Sequence, residues 1–412
     1  MMTRCTPTFI VLLSIFILPF AGCSMERVPA SVQPIPSFPT YTFPSCTFHA
    51  FPEASTSLFP SIRLIDCEVE DDLEPEDVEF EFEHKGGEIF GKQSKKRIEE
   101  ICLETNEYGA IYYVNYEANH GVQNSLGRWC CWNLDNTTVP TWNELLPDEL
   151  CAVHVESDGG IVYRASWNYK SEPRGLAVIL CGMGGMQHSS KVLGKSLLRD
   201  GWAVVYLYTI MNVPDYKLKV KLEGDTPASA AIDIFNKKYC QVIGATKAIR
   251  NRMKKQIPSL HGAPLALIGI SAGALNTPAV YHELQDEVDA VILVAGGANM
   301  FDILQEGAFT NWRFTDNAGN TFSKNALLEM NASYLATPSR DPYFLAPELP
   351  RNNTLLIHAK WDMVVPAASG DLLWERAGKP ERWIYPSGHL GLFMTLGWHA
   401  EDITQWLNSN IK

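Results

Sequence analysis

The sequence feature that most constrains the fold is an apolar run that leads directly into a serine flanked by glycines. Residues 265–270 read LALIGI, and such an unbroken run is typical of a parallel strand covered on both faces. Gly269-Ile270-Ser271-Ala272-Gly273 then fits the pattern G-x-S-x-G. In this pattern a sharp strand-to-helix turn lifts the serine hydroxyl out of the sheet. Ser271 is therefore a candidate nucleophile, with an ordinary strand-to-helix connection as the alternative.

Strand-like and helix-like patterns alternate on both sides of this motif. Alternating runs around Asp158-Gly159-Gly160 predict a hairpin. The expected strands are residues 176–181, 202–208, 265–270, 290–295, 354–359 and 382–385, and the expected helices include one capped by Ser189 or Ser190 that ends at Gly201, one from Thr226-Pro227 to Pro258, and one after Ser323. Repeated βα units predict an α/β fold with a mostly parallel, twisted sheet and helices on both faces.

The 412 residues divide into a large α/β domain and an N-terminal part. Residues 1–22 are expected to be a signal peptide, because their apolar run is shorter than the roughly 20 residues that span a bilayer. Residues 23–65 are rich in Pro, Ser and Thr and predict a linker. Residues 66–150 form an extension of unknown fold. Residues 151–412 are the α/β domain, with an insertion at about 298–350 that we expect to be a cap.

The extension contains two local patterns. An acidic loop runs into VEFEFE, which predicts an edge strand with Phe80 and Phe82 facing inward. A short helical start is expected at Ile98.

The end of the signal segment, PFAGC, resembles the lipobox of bacterial lipoproteins, with Phe20 in place of the more usual leucine. The resemblance implies cleavage before Cys23 and lipidation of this cysteine. An ordinary signal peptide cut nearby is the alternative. We therefore expect an exported protein of the cell envelope, on the periplasmic or outer-membrane side, held on the membrane by a lipid anchor. Ser24 is compatible with sorting to an outer membrane.

Charge and metal-ligand spacing exclude several classes of partner. The net charge is −13, and no basic run is longer than Lys95-Lys96-Arg97, which argues against binding to nucleic acid. C-x-x-C and H-x-x-x-H spacings are absent, which argues against a zinc site. We expect neither a metal nor another cofactor.

Eight of the ten cysteines remain when Cys5, in the expected signal peptide, and Cys23, the expected lipidation site, are not counted. An even number in an exported protein permits disulfides. We expect bridges within the cluster of cysteines before Cys151, with no pairing assigned, and buried thiols at Cys181 and Cys240.

Two polar residues complete the machinery that a nucleophilic serine needs. A serine hydroxyl requires a base, and the base requires a group that orients it. Asp362 and His389 each follow an expected strand, and reactive groups gather at the carboxyl ends of the strands in such sheets. The order Ser271, Asp362, His389 matches that of the α/β-hydrolases. With GISAG, WDMVVP and SGHLGLF at the matching places, the region from Cys151 to Lys412 resembles an α/β-hydrolase.

This resemblance implies a serine hydrolase of the carboxylesterase type. Ser271 would carry the acyl group, His389 would act as general base and then acid, and Asp362 would orient His389. The substrate would be a small-molecule carboxylic ester. An amidase, a peptidase or an acyltransferase would use the same triad, and a binding protein with this fold but without turnover is a further alternative.

Other residues compete for these roles. Asp302 stands where some lipases have their acid, whereas Asp371 is expected on a helix surface. His358 is expected to be a core histidine, since it lies within an apolar strand. His188 could touch substrate or cap a helix.

The oxyanion formed during acyl transfer needs backbone N–H donors. Ala272, directly after the nucleophile, is one expected donor. The second is expected from the loop Gly182-Met183-Gly184-Gly185, with Met183 as first choice and Gly184 as second. Here Cys181 replaces a histidine of the family. A phosphate-binding loop is the alternative, but the run lacks G-x-G-x-x-G spacing.

The insertion is rich in aromatic residues, which either line a substrate pocket or form a small core of their own. They are Phe309, Trp312, Phe314, Phe322, Tyr334 and Tyr343.

Overall fold

The computed structural model describes most of the α/β domain and parts of the N-terminal region. The described residues are 25–34, 37–39, 41–43, 46, 62–65, 80–85, 88–93, 98–106, 109–116, 127–130, 152–155, 161–169, 172–182, 187–209, 219–221, 227–308, 313–316 and 318–411. The predicted signal peptide and Cys23 lie outside these residues.

Strands and helices follow one another as the sequence predicts over the α/β domain. The strands are β1 (Glu26–Val28), β2 (Ile62–Ile65), β3 (Phe80–Lys85), β4 (Glu88–Gln93), β5 (Ile98–Asn106), β6 (Gly109–Tyr116), β7 (Gly127–Cys130), β8 (Ala152–Val155), β9 (Ile161–Asn168), β10 (Leu176–Leu180), β11 (Ala203–Thr209), β12 (Lys219–Lys221), β13 (Leu265–Ile270), β14 (Val288–Val294), β15 (Arg313–Thr315), β16 (Thr354–Ala359) and β17 (Glu381–Tyr385). The helices are α1 (Gln187–Arg199), α2 (Pro227–Gln256), α3 (Ala272–Leu284), α4 (Met300–Glu306), α5 (Lys324–Ala336), α6 (Pro342–Leu345), α7 (Ala367–Arg376), α8 (His389–Leu396) and α9 (Ala400–Asn410).

The described strands include a 12-stranded sheet that is parallel at its centre. Its order is β1-β17-β16-β14-β13-β10-β11-β9-β7-β6-β5, with β8 beside β6 and β9. The six strands from β17 to β11 are parallel to one another. β1 is antiparallel to β17, and β9 is antiparallel to β11. The predicted hairpin is confirmed, since β8 pairs with β9 from Val155 and Ile161 outward.

Each central strand is buried on both faces, which explains its unbroken apolar sequence. Alternate residues of β13 enter two different cores: Leu265 and Leu267 belong to one, and Ala266 and Ile268 belong to the other. The first core also contains residues of α2, α3 and α7. The second contains residues of α1, α8 and α9. The two faces of the sheet are therefore covered by different sets of helices.

The N-terminal segment expected to be a linker instead lies along the α/β domain in its described part. β1 pairs with β17, Tyr41 packs edge-on against Phe344 at 5.1 Å between ring centroids, and Cys46 forms a disulfide with Cys240 of α2. The prediction of a free Cys240 thiol is therefore wrong. Cys181 is a buried thiol, as predicted.

Two local expectations are also corrected. Ile98 begins strand β5, which pairs with β6, so the predicted helical start is wrong. Helix α1 begins at Gln187, so neither Ser189 nor Ser190 caps it. The Ser189 hydroxyl instead donates to the carbonyl oxygen of Phe393 at 3.0 Å. The VEFEFE run does form an edge strand, β3, in a separate 3-stranded sheet.

The insertion at 298–350 packs against α2 through aromatic side chains. Phe301 stacks on Phe314 at 4.6 Å between ring centroids, and Tyr334 meets Phe235 edge-on at 5.9 Å. Phe314 and Tyr334 are fully buried and so form a core rather than a pocket lining. Phe309 and Trp312 lie outside the described residues.

Candidate active site

The backbone at Ser271 forms a sharp turn between β13 and α3. Its φ of 52° and ψ of −116° are unusual for a residue with a side chain, and such strain is held only by the surrounding structure. Ser271 N–H donates to the carbonyl oxygen of Val294 at 2.8 Å, and Ser271 O accepts from Leu275 N–H at 3.1 Å. These bonds tie the turn to β14 on one side and to α3 on the other.

The flanking glycines are required by close packing. A Cβ at Gly269 would lie 2.5 Å from Ala274 Cα, and one at Gly273 would overlap the carbonyl oxygen of Leu180. Both positions therefore exclude any larger residue without backbone movement. The motif lets α3 pack directly on β10 and β13.

The turn lies where the strand order reverses. β10 pairs with β11 on one side and with β13 on the other, and open α/β sheets bind ligands at such switch points. A parallel sheet of this order, with a strained serine turn after its central strand, decides the assignment. The fold is that of the α/β-hydrolases.

His389 is the first residue of α8, directly after β17. Its Nε2 lies 2.9 Å from Ser271 Oγ, and its Nδ1 lies 2.6 Å from Asp362 Oδ2. The ring is buried and meets the Phe393 ring edge-on at 4.8 Å between centroids. The structure thus brings together three side chains from turns after β13, β16 and β17.

Asp362 is oriented by the backbone of its own turn. Its Oδ1 accepts from Val364 N–H at 2.9 Å and from Val365 N–H at 3.0 Å. This leaves Oδ2 for His389. An ionised carboxylate can only accept hydrogen bonds, so Nδ1 of His389 is the donor and Nε2 is free to accept the Ser271 proton. The role of these valines was not expected from the sequence, although an Asp side chain that accepts from N–H groups two and three residues onward is a common feature of turns.

The competing acids lie in other settings. The N–H of Asp302 donates to the side chain of Asn299 in the first turn of α4, and burial, with Glu306 nearby, raises the pKa of the Asp302 carboxyl. Asp371 is largely exposed on α7, as predicted, and pairs with Arg382 at 2.6 Å. Since Asp362 contacts His389 at 2.6 Å, neither rival is needed as the orienting acid.

His358 is a core histidine, as predicted, and stays neutral in the folded protein. It is buried in β16, and Arg382 Nη2 donates to its Nδ1 at 3.1 Å. Burial and the positive charge of Arg382 lower the pKa of His358 from 6.5 to about 3. His188 lies in α1, but its side chain is outside the described part.

The neutral His358 predicts a loss of stability in acid. Below about pH 6.5 the His358 imidazole binds a proton in the unfolded chain but not in the folded chain. The free energy of unfolding therefore falls by up to ~1.4 kcal/mol per pH unit towards pH 3. Between pH 6.5 and 4.5, His358→Gln should lose about 2 kcal/mol less than the wild type in urea unfolding. His261→Gln, at an exposed histidine, is the control and should behave as the wild type. Equal losses in wild type and His358→Gln would contradict this assignment.

One of the expected oxyanion donors can be located. Ala272 is the first residue of α3, where a backbone N–H has no acceptor within the helix. Met183 and Gly184 lie outside the described residues. Gly182, which begins that loop, is so close that a Cβ on it would lie 3.2 Å from Ser271 Cβ. The loop after β10 therefore starts in contact with the nucleophile.

The described residues were expected to hold neither a metal nor another cofactor, and the chain was expected to be held on a membrane by lipid. The described residues include no group of three or more His, Cys, Asp or Glu side chains that could hold a metal ion. None of the helices in the described part of the chain has the length and apolar character needed to cross a bilayer.

Comparisons with known proteins give distant matches. No family model matches the chain. "Uncharacterized protein YdjC" of Bacillus subtilis (strain 168) is 32% identical over 71 residues, and the match covers 17% of this chain and 61% of that relative.

Among solved structures, the chain is similar to several esterases. Est1E from Butyrivibrio proteoclasticus has a TM-score of 0.42 at 12% identity, covering 63% of this chain and 99% of that chain. The Pyrococcus furiosus esterase Pf2001 has a TM-score of 0.41 at 12% identity, covering 64% and 93%. The esterase domain of a Rhodothermus marinus protein has a TM-score of 0.40 at 16% identity, covering 64% and 99%.

Proposed function

We propose that this protein is a serine hydrolase that cleaves carboxylic esters through an acyl-enzyme on Ser271. The observation that carries the proposal is the continuous series of hydrogen bonds from Ser271 Oγ to His389 Nε2 at 2.9 Å and from His389 Nδ1 to Asp362 Oδ2 at 2.6 Å. Such a series is the arrangement that activates a serine hydroxyl.

In the first half of the reaction, Ser271 Oγ attacks the ester carbonyl carbon while its proton passes to His389 Nε2. The resulting imidazolium is stabilised by the Asp362 carboxylate. When the tetrahedral intermediate collapses, the bond to the alkoxy oxygen breaks, and His389 gives its proton to that oxygen. An alcohol leaves, and the acyl group stays on Ser271.

In the second half, water replaces the alcohol. His389 takes a proton from the water, whose oxygen attacks the acyl carbon, and the proton then returns to Ser271 Oγ as the acid leaves. In both intermediates the negative oxygen is stabilised by backbone N–H donors, one of them at Ala272. Met183, or in second place Gly184, is proposed as the other donor.

The experiment is a survey of turnover with a panel of p-nitrophenyl esters of different acyl length and the matching p-nitroanilides. We expect hydrolysis of at least one ester and little of the anilides, measured as nitrophenolate release. Adding an alcohol acceptor distinguishes the acyltransferase alternative, since transfer would yield a new ester in place of the free acid. Turnover of anilides alone would overturn ester hydrolysis, and no turnover of any acyl substrate would favour a binding protein.

We also propose that the chain is exported and lipidated on Cys23. The proposal is supported by the apolar run that ends at PFAGC, directly before this cysteine. Several acyl chains on one cysteine would hold the protein stably on a membrane, whereas a single chain binds only marginally.

Lipidation predicts a simple labelling result. Bacteria that express the chain and are fed an alkyne analogue of palmitate should yield a labelled protein of the mature size. Cys23→Ala should abolish the label, while Cys5→Ala, inside the removed segment, should leave it unchanged. A label that persists in Cys23→Ala would exclude this site.

A further inference from the structure

Exposed apolar side chains are concentrated around the candidate active site. Among the described residues, the large hydrophobic side chains with high exposure are Val32, Leu328, Trp361, Met363, Leu390, Met394 and Trp398. All but the first two lie in the two segments that carry Asp362 and His389. We call Trp361, Met363, Leu390, Met394 and Trp398 the rim patch.

Helix α8 and the turn after it supply three of these five residues, because α8 is apolar on both of its faces. Its inner face buries Leu392, Phe393 and Leu396 in the core. Leu390, Met394 and Trp398 recur every four residues and so share one side of the helix and the turn after it. Met394 is 77% exposed and Trp398 is 72% exposed. A helix on a soluble surface normally carries polar residues on its outer side, and a contiguous apolar patch marks an interaction site.

The two segments of the rim patch are joined beside the triad. Trp361 N–H donates to the carbonyl oxygen of Ser387 at 3.0 Å, so the turn that carries Asp362 contacts the turn that carries His389. Trp361 and Met363 are the direct neighbours of Asp362, and Leu390 follows His389. The patch therefore belongs to the carboxyl edge of the sheet.

The N-terminal strand enters the domain at this same edge. β1 is antiparallel to β17, with Glu26 beside Ile384 and Val28 beside Arg382. Because β17 ends at Tyr385, the start of β1 lies at the carboxyl edge and its end lies at the opposite edge. The Tyr385 ring also meets His399, the neighbour of Trp398, at 5.1 Å between ring centroids.

The connection between Cys23 and this edge is short. Met25 already packs against the core that contains the inner face of α8. Two extended residues span roughly 7 Å, so a lipid on Cys23 would be tethered within about that distance of the Met25 backbone. Because this connection is so short, a lipid on Cys23 would keep the carboxyl edge of the sheet close to the membrane surface.

We propose that the rim patch rests on the surface of the lipid bilayer into which Cys23 is anchored, so that the candidate active site opens towards the lipid. Tryptophan near the water interface is favoured in such contacts, and an apolar face that lies in the interface adds binding energy in proportion to its area. The proposal rests on the predicted lipidation of Cys23 and does not depend on the hydrolytic reaction.

The test measures the contact of Trp398 with lipid in the full lipidated chain. The protein is extracted from membranes in detergent and reconstituted into phosphatidylcholine vesicles with or without bromine at carbons 6 and 7 of one acyl chain. Bromine should quench part of the tryptophan emission of the wild type, and Trp398→Phe should lose much of this quenching. Trp374→Phe, on the opposite side of the sheet in α7, is the matched control and should retain it. Equal quenching of the wild type and Trp398→Phe would overturn the proposal.

A second measurement separates a lipid contact from a substrate pocket. In the same vesicles, Met394→Ser should slow hydrolysis of a bilayer-embedded ester by about tenfold, the loss expected for one buried apolar side chain, and should leave hydrolysis of water-soluble p-nitrophenyl acetate unchanged. Leu328→Ser, at an exposed leucine outside the patch, should change neither rate. Equal slowing on both esters would assign the patch to substrate binding and overturn the proposal. If the protein hydrolyses no ester, the proposed function fails while the fluorescence result still decides this inference.

Discussion

Ser271→Ala should reduce kcat for ester hydrolysis by about a million-fold, because removal of the nucleophile leaves only the oxyanion donors and binding to act on the substrate. The methyl group of alanine fits where the hydroxymethyl group was, so the fold should be retained. The measurement is kcat for the best chromogenic ester of the panel, made on purified protein with unchanged thermal unfolding.

Ser387→Ala is the matched control for this substitution. Ser387 is a buried serine two residues before His389, and its hydroxyl has no hydrogen-bond partner among the described residues. Its replacement should change kcat less than twofold, in the range of ordinary neutral substitutions. A Ser271→Ala enzyme with activity within tenfold of the wild type would contradict the role of Ser271.

Asp362→Asn should reduce kcat by about ten-thousand-fold. The side-chain amide of asparagine would donate a hydrogen bond to His389 Nδ1, which then leaves Nε2 protonated and unable to accept the Ser271 proton. The carboxylate that stabilises the imidazolium would also be lost. The rate should be compared with that of Asp302→Asn, which removes the competing acid and should leave kcat close to that of the wild type. The reverse ranking of the two variants would transfer the orienting role to Asp302.

The central sheet could be predicted from the sequence because its strands are buried on both faces. Leu265–Ile270 and Thr354–Ala359 have the bounds that were expected. An unbroken apolar run of this length is typical of a central strand of a parallel sheet, which is buried on both faces. The prediction that a serine caps α1 was wrong because the helix begins at Gln187, before either serine. The Ser189 hydroxyl donates instead to the carbonyl oxygen of Phe393, 204 positions away.

The contacts between the N-terminal segment and the α/β domain could not be predicted from the sequence. Its described residues form a strand of only three residues and isolated contacts between aromatic rings. Such short elements give the sequence no periodic pattern of apolar residues. The disulfide between Cys46 and Cys240 joins residues 194 positions apart, and no spacing rule identifies such a pair. Ile98–Asn106 was ambiguous because IEEICLETN places apolar residues at helical spacing, and pairing with β6 decides its conformation.

The chain order and the post-strand turns were enough to select the three candidate catalytic residues, because parallel strands bring their carboxyl ends to one edge. The orientation of the Asp362 side chain and the packing around Ser271 could not be predicted from the sequence. The N–H groups of Val364 and Val365 hold one oxygen of Asp362, and Gly182 contacts Ser271. Both contacts depend on turns whose geometry is set by contacts between strands.

The site at which a fluorophosphonate reacts identifies the nucleophile. Because His389 is expected to activate Ser271, the purified chain should gain one phosphonyl group, and peptide mass spectrometry should locate it on Ser271. The adduct should be absent from Ser271→Ala and should form far more slowly in His389→Gln. An adduct on another residue would show that Ser271 is not the nucleophile, and labelling of Ser271 at the same rate in His389→Gln would show that His389 does not activate it.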